Sequence, residues 1–293
     1  MSRKTIINAL VLSIAILSAI ASSIGILSNK NEGPGNIISV RGEKVILYGK
    51  GVYHHMSAQV APQGIAQDYV TLFIAIPLLI ISLLLNNKGS VRGKILLAGT
   101  LGYFLVTYLF FTMMAMYNQL FLLWVVNLAL SFYGFILVFT SLNNDEVSFQ
   151  KELPVKFIGG FLMFCALAIT FLWLSVIIPP FLNNSIPAAV EHYTTLVVQA
   201  LDLSILLPAS FISGWLLFTR KSYGYIIAPV YTVFLSILML ALTAKIIAMG
   251  ILGYNIIPVV YIISTFTIVT IVCLVIVVLK LNNKNYHEIT RAF

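Results

Sequence analysis

Eight apolar runs, each near the length of about 20 residues that a bilayer-spanning helix needs, follow one another along this chain. They are Thr5–Leu27, Tyr69–Leu85, Leu96–Tyr117, Gln119–Leu142, Phe157–Pro179, His192–Phe218, Tyr223–Ile251 and Ile256–Leu281. Tyr and Trp stand at several of their ends, as they do at membrane interfaces. Between the first two runs lies one long polar segment, Ser28 to Gln67. Its IISVRGEKVILYG portion puts β-branched residues on either side of an Arg41–Lys44 turn, which predicts a short hairpin. GKGVYHHMSAQVAPQG follows as a loop punctuated by Gly and Pro. The segment has few apolar anchors of its own, so it is expected to lie as a cap on the helices.

Composition turns the pattern into a class. Hydrophobic residues make up 60% of the chain and charged residues only 9%, against about 25% charged in soluble domains. The chain reads as an all-α polytopic membrane protein whose partner is the lipid bilayer. The net charge of +8 forms no basic face on a soluble domain, which excludes a nucleic-acid partner.

The placement of the basic residues orients the helices. Arg3, Lys4, Lys88, Arg92, Lys94, Lys151, Lys156, Arg220, Lys221, Lys280, Lys284 and Arg291 fall on one side; Lys30, Arg41, Lys44 and Lys50 fall on the other. The expectation is a prokaryotic cell-membrane protein with both termini in the cytoplasm. The first run also fits a signal peptide, with a basic start and an Ala19-Ile20-Ala21 cleavage pattern. Its apolar stretch continues unbroken to Leu27, which favours a retained helix. Cys165 and Cys273 each stand alone in apolar runs and read as small buried hydrophobes.

Paired landmarks suggest an internal repeat. Gln67-Asp68 introduces the second run, which continues to Pro77 and Ser82; the sixth carries Gln199 and Asp202, then Pro208 and Ser213. The step from Pro to Ser is the same in both. Tyr117-Asn118 opens the fourth run and Leu142-Asn143-Asn144 ends it; Tyr254-Asn255 and Leu281-Asn282-Asn283 do the same for the eighth. These pairs divide the chain into two four-helix units, 1–150 (with the outer loop 28–67) and 151–293. An even number of spans per unit gives parallel repeats related by an axis along the membrane normal. The Gln-Asp…Pro pattern, with Gln-Ala-Leu-Asp…Pro in the second half, resembles a group of uncharacterised prokaryotic multi-pass membrane proteins. That resemblance implies no activity.

Charge within a span marks candidate chemistry. The stretch EHYTTLVVQALD enters the sixth run, and at 100° per residue Glu191, Thr195 and Asp202 fall within about 40° of one another. Gln199 lies alongside, and His192 is turned further round. Asp68 is the acid of the first half, and Lys245 lies within the seventh run. These seven residues are the candidate ligand or ion site, read as one polar face lining an outward cavity. The competing reading is a structural network in which Asp202 pairs with Lys245, or in which Lys245 extends to the interface. His54, His55 and His192 add borderline ligands that zinc accepts, but no spacing fixes them on one face. No nucleotide, serine-hydrolase or redox motif is present, and no motif requires a cofactor; a divalent metal at the histidines is the one option left open.

The leading expectation is therefore transporter-like handling of a small solute or ion, with Asp68, Glu191 and Asp202 binding a cation or proton. The alternatives are a membrane-embedded enzyme acting on a lipid or quinone through the histidines and acids, and a sensor or assembly subunit without chemistry.

Overall fold

A computed structural model describes residues 2–28, 30, 32–143, 147, 149 and 153–281. It contains eight helices long and apolar enough to cross a membrane: α1 (Arg3–Leu27), α2 (Ala61–Asn87), α3 (Val91–Met114), α4 (Phe121–Phe139), α5 (Val155–Leu182), α6 (Val197–Phe218), α7 (Gly224–Ile251) and α8 (Val259–Lys280). In hydrocarbon a backbone must pair its own N–H and C=O groups, so apolar runs of this length become helices. Serine hydroxyls cap two of the starts: Ser2 accepts from the Thr5 N–H and Ser90 from the Gly93 N–H. The residues Lys151, Asn282, Asn283, Lys284 and Arg291, and the Asn144 that ends the fourth run, lie outside the described residues.

Two boundaries differ from expectation, for identifiable reasons. Helix α2 starts at Ala61, eight residues ahead of Tyr69, because Pro62 sits in its first turn; proline there needs no N–H and brings a helical φ. Gln67 and Asp68 therefore lie inside the helix rather than ahead of it. Helix α6 starts only at Val197. Glu191 has φ 48, and the chain from 191 to 196 is not helical.

The expected hairpin forms. Strands β1 (Asn36–Ile38) and β2 (Lys44–Ile46) pair antiparallel with Ile37 opposite Val45, and Gly42 takes φ 83 at the turn. The loop after it is anchored by one aromatic. Tyr53 is 1% exposed and stacks on Phe111 and Trp124 at 6.1 and 6.3 Å between ring centres.

Helices α3 and α7 form the centre, with 78% and 67% of their most apolar windows buried, against 17–39% for the rest. They meet where α3 has no side chain: a Cβ on Gly99 would collide with Val233 and approach the Val230 carbonyl oxygen to 2.7 Å. Gly159 of α5 and Gly214 of α6 face each other in the same way, each Cβ blocked by the other's carbonyl oxygen at 2.6 and 2.5 Å. Small residues let membrane helices approach closely where no hydrophobic force drives them together.

At the face where α1 begins and α8 ends, basic side chains bind the last carbonyls of neighbouring helices. Arg3 donates to the Leu137 carbonyl and, at 2.8 Å, to Thr140 Oγ1 at the end of α4. Lys4 donates to the Asn87 carbonyl of α2 at 3.2 Å, and Arg92 Nε to the Leu281 carbonyl after α8 at 2.9 Å. The last carbonyls of a helix have no partner within it and carry its negative end, so cations suit them.

Candidate functional site

Both α2 and α6 widen into a single π turn just ahead of a proline. In α2 it spans Thr71–Ala75 before Pro77, and in α6 Asp202–Leu206 before Pro208. A proline inside a helix removes one hydrogen bond and crowds the preceding turn, and a π turn at that place relieves the crowding. Counted back from the proline, Thr71 stands in α2 where Asp202 stands in α6, and Ser82 and Ser213 follow the proline at the same step.

The two opened turns are filled differently. Thr71 donates to the Gln67 carbonyl, and its hydroxyl lies 2.9 Å from that of Tyr103. Gln67 Nε2 donates to Tyr103 and Thr107 at 2.8 and 3.0 Å. In α6, Asp202 Oδ2 accepts from Trp173 Nε1 at 2.8 Å, and Tyr231 donates to the Leu206 carbonyl at 2.8 Å. A neutral hydroxyl network thus closes the first turn, while an acid opens the second.

Asp202 looks into a cavity of about 330 Å³ walled by α2, α3, α5, α6, α7 and α8. Its walls are mostly apolar, with Met56, Phe111, Leu238 and Phe266 among them; the polar groups are few, chiefly Gln67, Trp173, Asp202 and Lys245. An outward cavity lined by a polar face was the expectation, and the apolar walls correct it. Asp202 and Lys245 face the same space, yet no ion pair joins them; among the described residues the ion pairs are Lys30–Glu32 and His54–Glu32. Gln67 is 5% exposed, and its Oε1 has no hydrogen-bond partner. Opposite charges on the wall of an apolar space suit a ligand with an apolar body and a polar end.

The other expected members do not join this cavity. Asp68 is 3% exposed and accepts from the Tyr53 hydroxyl at 2.6 Å. It fills a space left by Gly25 of α1, whose Cβ would collide with Asp68 Oδ2. Burial pushes the Tyr53 hydroxyl well above its ordinary pKa, and the Asp68 carboxylate adds to the shift. Glu191, His192 and Thr195 lie in the turn before α6 and do not share a helical stripe with Asp202. Gln199 is on α6, half-buried, but outside the cavity wall.

That turn is held by the hairpin. Arg41, at the hairpin tip, donates to the carbonyls of Tyr193 and Thr194 at 2.8 and 2.9 Å. In a helix begun at His192 these carbonyls would accept from Val197 and Val198, so the guanidinium takes the bonds that would have extended α6. The Tyr193 hydroxyl accepts from the Ser57 N–H at 3.2 Å, and burial raises its pKa. Replacing Arg41 with alanine removes hydrogen bonds from a charged donor, a class worth about 1.5–3 kcal/mol. Amide exchange across 190–196 is expected to rise about tenfold or more, while exchange in α3 stays unchanged; protection retained at 190–196 would show that Arg41 is not what holds the turn.

The histidines are engaged with backbone. His192 Nε2–H donates to the His55 carbonyl at 3.0 Å, and His54 Nδ1–H to the Gly51 carbonyl at 2.9 Å. Among the described residues no three His, Cys, Asp or Glu side chains come together to hold a metal, so His54, His55 and His192 do not form the set considered from the sequence. Trp173 and Tyr231 are the site residues that sequence reasoning passed over. A tryptophan in the middle of a lipid-facing run, away from the interface where tryptophans gather, was the available signal. No family model matches the chain, and no curated protein or solved structure is similar to it.

Proposed function

We propose that this integral membrane protein binds and moves a small solute, in transporter-like fashion, through the cavity between its halves. The observation that carries this reading is the placement of Asp202 and Lys245 on the wall of one largely apolar space, beyond ion-pair contact but close enough to act on each other electrostatically. Intramembrane charge is costly and normally sits where it serves a pathway or a ligand. The π turn and Pro208 beside Asp202 provide a helix segment able to change its hydrogen bonding during opening and closing. Trp173 orients the carboxylate.

The two halves, 1–150 and 151–293, are read as tandem copies of one four-helix unit. Support comes from the π turn and proline at one register in α2 and α6, and from the central place of α3 and α7. In this arrangement the hairpin face is outside and both termini are cytoplasmic. Single cysteines at Ser185 and Lys221, on a background lacking Cys165 and Cys273, test the orientation. An impermeant maleimide is expected to label the first from outside and the second only after lysis; equal labelling of both on intact cells would refute it.

A thermal-shift screen of the purified protein tests the binding reading. A ligand present at about 100 times its Kd stabilises by about 2.7 kcal/mol. The shift should appear in the wild type and vanish in the Asp202→Asn, Lys245→Met double variant. A ligand whose shift survives in that double variant binds elsewhere and counts against the cavity.

A further inference from the structure

The cavity opens sideways, toward lipid. In the first half α1 packs along α4; in the second half α5 and α8 do not run side by side in that way. They meet through Phe266, whose ring centre lies 6.2 Å from that of Phe161 and 5.8 Å from that of Phe164. Beyond that ring contact, toward the hairpin face, the walls are Ile169 and Leu172 from α5 and Val259 and Ile263 from α8. Leu172 is 51% exposed and Val259 48% exposed although both line the cavity. A residue that faces a cavity and the outer surface at once marks a mouth, and here one stands on each helix.

On the α5 side this mouth reaches well into the hydrocarbon layer, while Val259 begins α8 at its outer end. Leu172 lies ten residues before the end of α5 at Leu182, roughly 15 Å along the helix at 1.5 Å per residue. A hydrocarbon layer is about 30 Å thick, so that position is within it. The neighbouring surface is apolar, with Phe171 68% and Ile262 48% exposed.

Inside, the polar groups are set for both signs of charge. Asp202 Oδ2 is held by Trp173, and its second oxygen has no hydrogen bond. That oxygen requires a donor. Among the described residues Lys245 has no hydrogen-bond partner, and only the field of Asp202 acts on its charge; it requires an acceptor. The volume stands at the low end of the range for small-molecule pockets, about 300–1,000 Å³, which suits one chain rather than two.

Building on the solute-binding reading, we propose that the cavity takes a single-chain zwitterionic amphiphile from the bilayer through the seam between α5 and α8. Its ammonium lies at Asp202, its acidic group at Lys245, and its chain along the apolar wall toward Leu172 and Val259.

The test uses full-length protein in phosphatidylcholine nanodiscs, in a Trp215→Phe background that removes the lipid-exposed tryptophan. The probe is lysophosphatidylethanolamine with a brominated acyl chain, which quenches nearby tryptophan. Saturable quenching is expected, and Trp173→Phe should abolish it. Asp202→Asn and Lys245→Met should each weaken apparent affinity about 30-fold or more, as loss of one member of a buried charged contact does. Leu172→Phe with Val259→Phe narrows the mouth without touching the charges, and should slow the onset several-fold, since a required opening step lowers association rates. Quenching that does not saturate, or that ignores both charge variants, overturns the proposal. Free glycine, a soluble zwitterion, separates the two levels of the argument. If glycine stabilises the protein in an Asp202-dependent way and the lysolipid does not bind, the lateral route is wrong and the cavity reading stands. If neither binds, both are wrong.

Discussion

A leucine at position 99 will prevent the two halves of this protein from closing on each other. Gly99 lies at the contact of the two most buried helices, where even a Cβ would strike Val233 and press on the Val230 carbonyl. Overpacking a fitted core costs about 1–3 kcal/mol when side chains can shift; here part of the obstacle is backbone. Gly99→Ala should lower the melting temperature by several degrees, and Gly99→Leu should leave no monodisperse protein on size exclusion in detergent. One turn further on, Gly102 provides the control. A Cβ there would meet Phe135, the nearest neighbour, at 3.7 Å, an ordinary contact, and alanine in a helix is favoured over glycine by roughly 0.5–1 kcal/mol. Gly102→Ala should therefore be neutral or slightly stabilising. Equal melting of the two alanine variants would mean that α3 and α7 do not meet at Gly99.

The second large effect separates stability from function. Asp202→Asn keeps an oxygen for Trp173 Nε1 and should preserve the fold, yet it removes the charge that faces the cavity. Loss of one member of a buried charged contact costs about 2–5 kcal/mol in binding, so ligand affinity should fall by about 30-fold or more. Adding Lys245→Met removes the remaining charge. Replacing buried ionic groups by apolar ones is often neutral or stabilising, by about 1–4 kcal/mol. The double variant is thus expected to melt at or above the wild-type temperature while binding nothing. A double variant that unfolds early would mean that the two charges support the fold across the cavity, and would make them structural.

Much of the architecture could be read from the chain because lipid imposes one rule on every span. Eight apolar runs gave eight helices, and the hairpin formed around the Arg41–Lys44 turn. Errors arose where a distant residue decides a local matter. Nothing near His192 announces that its helix waits until Val197; Arg41, far away in sequence, takes the two carbonyls that would have continued it. Pro62 was taken as loop punctuation, although proline is equally at home in a first helical turn. Asp202 lines the cavity, but Glu191 and Thr195 were joined to it by helical angle on a stretch that is not helical. The apolar walls of the cavity could not be foreseen. In a chain so rich in Leu, Ile and Phe, periodicity does not distinguish a side chain facing a gap from one facing lipid or a neighbouring helix. Asp68 was grouped with Asp202 by its sequence pattern, whereas its carboxylate meets Tyr53 and lies off the cavity wall.

The basic residues that bind helix ends also impose an order on biosynthesis. Arg3 leaves the ribosome long before Leu137 and Thr140, so its charge has no helix end to bind until the fourth span has been made. Once that happens, the bond draws the first helix against the fourth, and the first four spans can assemble while the rest of the chain is still being translated. Arg92 waits longer still. Its acceptor at Leu281 emerges only after the last span, so the contact that ties α8 to the start of α3 is among the last to form, and a chain stopped before Leu281 leaves the third helix without its latch.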